Sequence, residues 1–199
     1  MFTILWILIV GLTKIRAADY ILLIEDSDFY TPCTEGPPGS IGMNEAYDVS
    51  ELVVDMDEEG LHVSGNITTL WDFPRTDRIS ARLNVLRFNR GSWEPTLYSV
   101  HTPDFCAVMF DPNLFWYNCW FKNLANREEI QEKCIATKGT VMQYNSFIVT
   151  PRLNNVMVGP TIKRRFKLVF TFEAFDENNQ RRPTSVCFEL TGEAEKVRT

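Results

Sequence analysis

The chain has 199 residues, with 20 Lys and Arg against 26 Asp and Glu and a net charge of −6. That length suits one domain with a sizeable core, and the acidic balance argues against nucleic acid or an anionic membrane surface as the main partner. Beyond the amino terminus no stretch approaches the roughly eighteen uninterrupted apolar residues of a spanning helix, so the mature product is expected to be released and not membrane-spanning.

Phe2 to Leu12 is an apolar run of signal-peptide length, too short to cross a bilayer. Ala17-Ala18 offers small residues for cleavage. The only nearby cations, Lys14 and Arg16, follow the apolar core instead of preceding it, which leaves an uncleaved anchor as the alternative. The expectation is a signal peptide over residues 1–18 and a single secreted domain over 19–199. Cleavage after Ala18 removes two cations and leaves 181 residues at net charge −8.

In chain order the pattern is mostly β. Tyr20 to Ile24 reads as a short strand. Cys33 to Gly42 reads as a loop, because Pro32, Gly36, Pro37, Pro38 and Gly39 exclude regular structure. Two strands come next, Tyr47 to Asp55 and Leu61 to Leu70, joined by the acidic turn Asp57-Glu58-Glu59-Gly60. In the second, Leu61, Val63, Gly65 and Ile67 alternate with His62, Ser64, Asn66 and Thr68, the pattern of a half-buried strand. Asn66-Ile67-Thr68 is the only N-x-S/T sequon and falls on the polar face, so Asn66 is the expected glycosylation site. Ile79, Ala81, Leu83 and Val85 face away from Ser80, Arg82 and Asn84. Asn89-Arg90-Gly91 is a turn, and Trp93 to Val100 returns.

The stretch Phe105 to Phe121, FCAVMFDPNLFWYNCWF, concentrates bulk. Six of the twelve residues from Phe110 to Phe121 are aromatic. Asp111-Pro112 offers a helix start, with Asp capping and Pro at the first helical position. The residues after Pro112 are apolar on every side, and each aromatic buries about 150–250 Å², so this tract must be covered by core, partner or ligand. It is either plain core or the wall and mouth of an apolar cavity. On the second reading Phe105, Phe110, Leu114, Phe115, Trp116, Trp120 and Phe121 form the rim and lining, and inward members of Phe166 to Phe172 and of Thr140 to Val149, such as Phe147, form the floor. A ligand of about ten carbons then suffices for micromolar-range affinity, at about 0.8 kcal/mol per buried CH₂ before binding costs.

Asn123 to Cys134 is the one plausible helix. Phe166, Leu168, Phe170 and Phe172 alternate with Lys167, Thr171 and Glu173; Asp176 to Asn179 is a hairpin turn, and Thr184 to Thr191 is the last strand. Strands of this length, with turns between, predict one all-β antiparallel sandwich. Two basic clusters, Lys163-Arg164-Arg165 and Arg181-Arg182, lie at strand ends, either as ordinary strand-end charges or as one positive rim.

Five cysteines lie beyond the signal segment: Cys33, Cys106, Cys119, Cys134 and Cys187. In an oxidising compartment most pair and one is left over. No spacing among them suggests zinc. The reading is Cys33–Cys187, tying the start of the domain to its last strand, with Cys106–Cys134; Cys119–Cys134 with Cys106 free is the alternative.

Catalysis finds little support. His62 and His101 are the only histidines, and no nucleophile elbow, HExxH, phosphate loop or dinucleotide fingerprint occurs. The expectation is a protein that is not an enzyme and uses no cofactor and no metal. A glycosidase carboxylate pair stays open, since its members need not be neighbours in sequence.

The run ISARLNVLRFNRGSWEPTLYSVHTPDFCAVMFD (Ile79 to Asp111), then NREEI and RRPTSVCFELTGEAEK (Arg181 to Lys196), strongly resembles the insect chemosensory B family, CheB, which is related to the ganglioside-activator and ML lipid-recognition proteins. The most specific pieces are DFC (Asp104–Cys106) and SVCFEL (Ser185–Leu190). The resemblance implies an Ig-like, ML-like sandwich with an apolar cup. It implies secretion and a role in taste sensilla, binding or presenting lipid-like contact pheromones alongside a degenerin-type sodium channel or gustatory receptor. It also implies cysteines at Cys33, Cys106, Cys134 and Cys187, with Cys119 as a departure. A rival of another class is an extracellular partner of such a receptor or channel with a filled interior.

Overall fold

Apolar residues two apart, punctuated by turn residues, commit most of this chain to strands. The computed structural model describes residues 18–24, 30–57, 59–149, 152–156 and 165–197. The expected signal segment, apart from Ala18, and Glu58, Lys163 and Arg164 lie outside those residues. In order come β1 (Ala18–Ile24), β2 (Thr31–Pro32), β3 (Ser40–Ile41), α1 (Met43–Ala46), β4 (Tyr47–Asp48), β5 (Leu52–Met56), β6 (Leu61–Thr69), β7 (Arg78–Asn89) and β8 (Ser92–Thr102). After these come α2 (Phe105–Val108), α3 (Phe115–Cys119), α4 (Arg127–Lys133), β9 (Val141–Val149), β10 (Arg152–Val156), β11 (Arg165–Phe175) and β12 (Arg181–Lys196).

The strands form an all-β sandwich of two sheets. The larger runs β10-β1-β12-β11-β7-β8, with β2 and β3 continuing the edge of β12 that β1 occupies. The smaller centres on β6, flanked by β4 and β5 on one side and β9 on the other. Pairing is antiparallel except β3 on β12. The β7–β8 hairpin turns through Arg90 and Gly91, both at positive φ (48° and 89°), the backbone of a two-residue turn whose twist matches its strands. Between the sheets, Ile67, Met142 and Tyr144 meet Leu22, Leu83, Phe166, Leu168 and Val186 in one core.

Several sequence expectations shift. The strand Tyr47 to Asp55 is broken, because the Asp48 carboxylate accepts from the Ser50 backbone N–H at 2.9 Å and closes a turn before β5. The loop Cys33 to Gly42 contains β3, and the last strand is longer than Thr184 to Thr191, since β1 pairs with its final residues. Asp111-Pro112 starts no helix: the Asp111 side chain accepts from Asn113 N–H at 2.9 Å as a local turn, and α3 begins at Phe115. Asp104 instead caps α2, accepting from Ala107 N–H.

Lys167, expected on the solvent face, is buried. Its ammonium lies 2.6 Å from the Glu189 carboxylate and over the Trp93 ring, while Glu189 also accepts from Thr34. A buried cation persists only when so paired. Among the described residues the basic clusters form no common rim, and of the first cluster only Arg165 is described. Arg165 begins β11 and Arg181 begins β12, at opposite ends of the same hairpin, about 30 Å apart at strand rise. Arg182 makes a two-pronged pair with Asp77, and Arg181 pairs with Glu173.

Disulfides join Cys33 to Cys187 and Cys106 to Cys134, leaving Cys119 as the free thiol. Among the described residues no helix is long and apolar enough to cross a membrane.

Candidate functional site

The aromatic residues between β8 and β9 are too apolar to face water, and their segment is too irregular to join a sheet. They fold as short helices against the gap between the sheets. Phe105 on α2 is fully buried and anchors this layer, meeting Trp116, Phe121 and Phe172 edge to face at 5.4–5.7 Å. On that anchor α3 carries Phe115, Trp116 and Cys119 across the gap.

They form one wall of an apolar cavity of about 150 Å³ that is partly open at its mouth. The larger sheet contributes Leu22, Ile24, Leu168, Phe170, Phe172, Phe188 and Leu190. The smaller sheet contributes Tyr47, Leu61, Ile67, Met142 and Val149. Tyr30, Met43, Phe115, Trp116, Cys119, Trp120, Phe121 and Ile135 complete the wall. Phe170 and Phe188 stack at 5.0 Å, side by side across β11 and β12. Among the described residues no Asp, Glu, Lys, Arg or His borders the cavity. A cavity of this volume accepts a ligand of about benzene's bulk.

Four of the eight expected lining residues border it: Phe115, Trp116, Trp120 and Phe121. The other four do not. Phe105 is core behind α3; Phe110 turns away under the Arg127 guanidinium, 4.6 Å from its ring; Leu114 precedes α3; Phe147 packs outside Trp120 at 5.8 Å. Sequence reasoning missed Tyr30, Met43, Tyr47 and Ile135. They come from loops and short elements that only tertiary packing brings to the cavity, and no periodicity marks them.

The few heteroatoms in the wall are held neutral. Burial pushes the Cys119 thiol up to about 12, with only Lys122 opposing. Burial likewise raises the phenols of Tyr30, Tyr47 and, behind the wall, Tyr144. The Tyr144 hydroxyl is hydrogen-bonded by Trp120 and donates to Met142 Sδ. Tyr47 Oη and Trp116 Nε1 are buried without a hydrogen-bond partner among the described residues.

The remaining candidates lie elsewhere. Asn66 is half-buried on the outer side of β6, its amide donating to Glu51 Oε2 at 2.9 Å. His62 pairs with Asp57 at 2.9 Å on the exposed turn, and that contact holds the Asp57 carboxyl below its usual range. His101, on the edge strand β8, meets Ser80 Oγ. Neither histidine borders the cavity. Among the described residues no group of three or more His, Cys, Asp or Glu is placed to hold a metal. No family model matches this chain, and a comparison with curated proteins finds no match.

Proposed function

We propose that this protein is a secreted, non-catalytic carrier of hydrophobic, lipid-like chemosensory ligands such as contact pheromones, of the CheB type that its sequence resembles. The observation that carries the proposal is the cavity of about 150 Å³ walled by carbon between the sheets and α3. Sites for small apolar ligands are concave, mostly hydrophobic and largely pre-formed. Among the described residues the wall carries no charged side chain, and the Cys119 thiol stays protonated at neutral pH; both favour storage over chemistry. The two disulfides suit an oxidising, extracellular setting.

The cavity is smaller than a ten-carbon chain requires. A fragment of roughly six carbons fills it, for about 5 kcal/mol of gross apolar burial before binding costs. The rest of a longer chain then lies along half-exposed Phe115 and Trp120. The receiving partner in this reading is a degenerin-type sodium channel or a gustatory receptor. The test is fluorescence titration with N-phenyl-1-naphthylamine, followed by displacement with long-chain lipids. Saturable, displaceable binding is the expected result. Its absence favours the rival reading, a receptor or channel partner that carries no ligand.

A further inference from the structure

Resting on that carrier reading, we infer that Lys167 and Glu189, an ion pair on the outer face of the larger sheet, are positioning residues for the cavity: they hold the strap Thr31–Thr34 against β12 and so set Tyr30 in the cavity wall. The pair is buried, at 6% exposure for each residue, and it alternates along β11 and β12 with Leu168 and Leu190, which border the cavity on the inner face. For stability alone such a pair is a poor device, because desolvation offsets the attraction and an apolar pair of similar volume holds a sheet as well. The Glu189 carboxylate does more than neutralise Lys167. One oxygen lies 2.6 Å from the ammonium, and the other accepts from both the backbone N–H and the hydroxyl of Thr34 at 2.9 Å. Lys167 itself donates to Thr34 Oγ1 at 3.4 Å, and Thr31 Oγ1 donates to the Glu189 carbonyl at 3.2 Å.

The strap leads directly into the cavity wall. Thr31 pairs with Glu189 and Pro32 with Phe188 along β12. Tyr30, one residue earlier, meets Phe188 edge to face at 5.4 Å, and Phe188 stacks on Phe170 at 5.0 Å. All three rings border the cavity. The Cys33–Cys187 disulfide tethers the strap at one residue. One tether fixes a distance and leaves the strap free to tilt about it. The bonds to Glu189 reach Thr31 on one side of Cys33 and Thr34 on the other, so they fix how the strap lies. A pair of strands two residues long holds little by itself, and a wall residue stays in place only when its support is locked by further hydrogen bonds.

The experiment separates the grip on the strap from the charge. In the full secreted chain, Lys167→Met with Glu189→Gln keeps an amide oxygen that accepts from Thr34, whereas Lys167→Met with Glu189→Leu keeps none. Neither double variant leaves a buried charge unpaired, so both are expected to fold, with thermal melts of each as the check. In titrations with N-phenyl-1-naphthylamine the Gln variant is expected to bind as the wild type does and the Leu variant about tenfold more weakly. Thr34→Val, at an exposed residue, removes only the hydroxyl and is expected to weaken binding about threefold. In a Tyr30→Ala background these differences are expected to vanish, an outcome that a merely stabilising ion pair does not produce. Equal affinity of the Gln and Leu variants overturns the inference while leaving the carrier reading intact, as does a loss of the same size in the Tyr30→Ala background. Should the Leu variant fail to fold, Thr34→Val with and without Tyr30→Ala decides by the same criterion. Failure of the wild type to bind the probe overturns both.

Discussion

Trp116 and Trp120 lie one helical turn apart and do different work. Trp116 is buried against Phe105, Phe115, Phe170 and Phe172, whereas Trp120 is half-buried and leans on Tyr144 and Phe147. Trp116→Ala is expected to cost about 3–5 kcal/mol in denaturant unfolding, as a large-to-small change in a closed core does. Trp120→Ala is expected to cost clearly less while weakening probe binding at least as much. Equal destabilisation by the two would show that Trp120 is ordinary core. At this scale the sequence exposed the aromatic tract through composition alone, since no face of it was made for water. It did not separate Phe115, Trp116, Trp120 and Phe121, which reach the cavity, from Phe105 and Phe110, which do not. That division depends on where α2 and α3 sit, and neighbouring aromatics look alike in sequence. Tyr47 gave no signal, because only the folded sheets bring the two-residue strand β4 to the cavity.

The helical layer is held by one covalent tie. Cys106 on α2 joins Cys134 at the end of α4, a sequence separation of 28 residues that encloses α3 and the cavity's aromatic wall. Chain entropy assigns such a loop about 3–4 kcal/mol. The Cys106→Ala, Cys134→Ala double variant is expected to lose about 2–4 kcal/mol of unfolding free energy and most N-phenyl-1-naphthylamine binding, while its far-UV circular dichroism keeps the β signal. Unchanged binding in that variant would mean that α3 is positioned without the tie. Strands were the legible elements, because alternation such as Ile79, Ala81, Leu83 and Val85 records a buried face directly. Their interruptions were not: Asp48 ends β4 with a side-chain hydrogen bond, and Asp104, not Asp111, starts the first helix of the layer. Both are Asp–backbone choices that local sequence permits at either site. Lys167 defied the alternation because the larger sheet covers part of its own outer face with Trp93, Thr34 and Glu189.

As a whole the molecule is two sheets that do not fully meet, with short helices spanning the gap. Cys33–Cys187, at a sequence separation of 154 residues, ties the segment after β2 to β12, the strand that also bears Phe188 and Leu190 of the cavity wall. Antiparallel architecture was legible in strand lengths and turn residues, but a gap between sheets depends on how side-chain volumes add up across the layers, which no local pattern encodes. The separation of Arg165 from Arg181 was topologically implicit: a hairpin turn at Asp176 to Asn179 necessarily sends the starts of its two strands apart. Native mass spectrometry with organic extraction, on protein secreted from insect cells, tests most directly whether that gap holds a lipid. The expected result is a population carrying a lipid-range adduct that is lost on denaturation and recovered in the extract. A clean protein mass that stays unchanged after incubation with 1-dodecanol and methyl dodecanoate would contradict the carrier function.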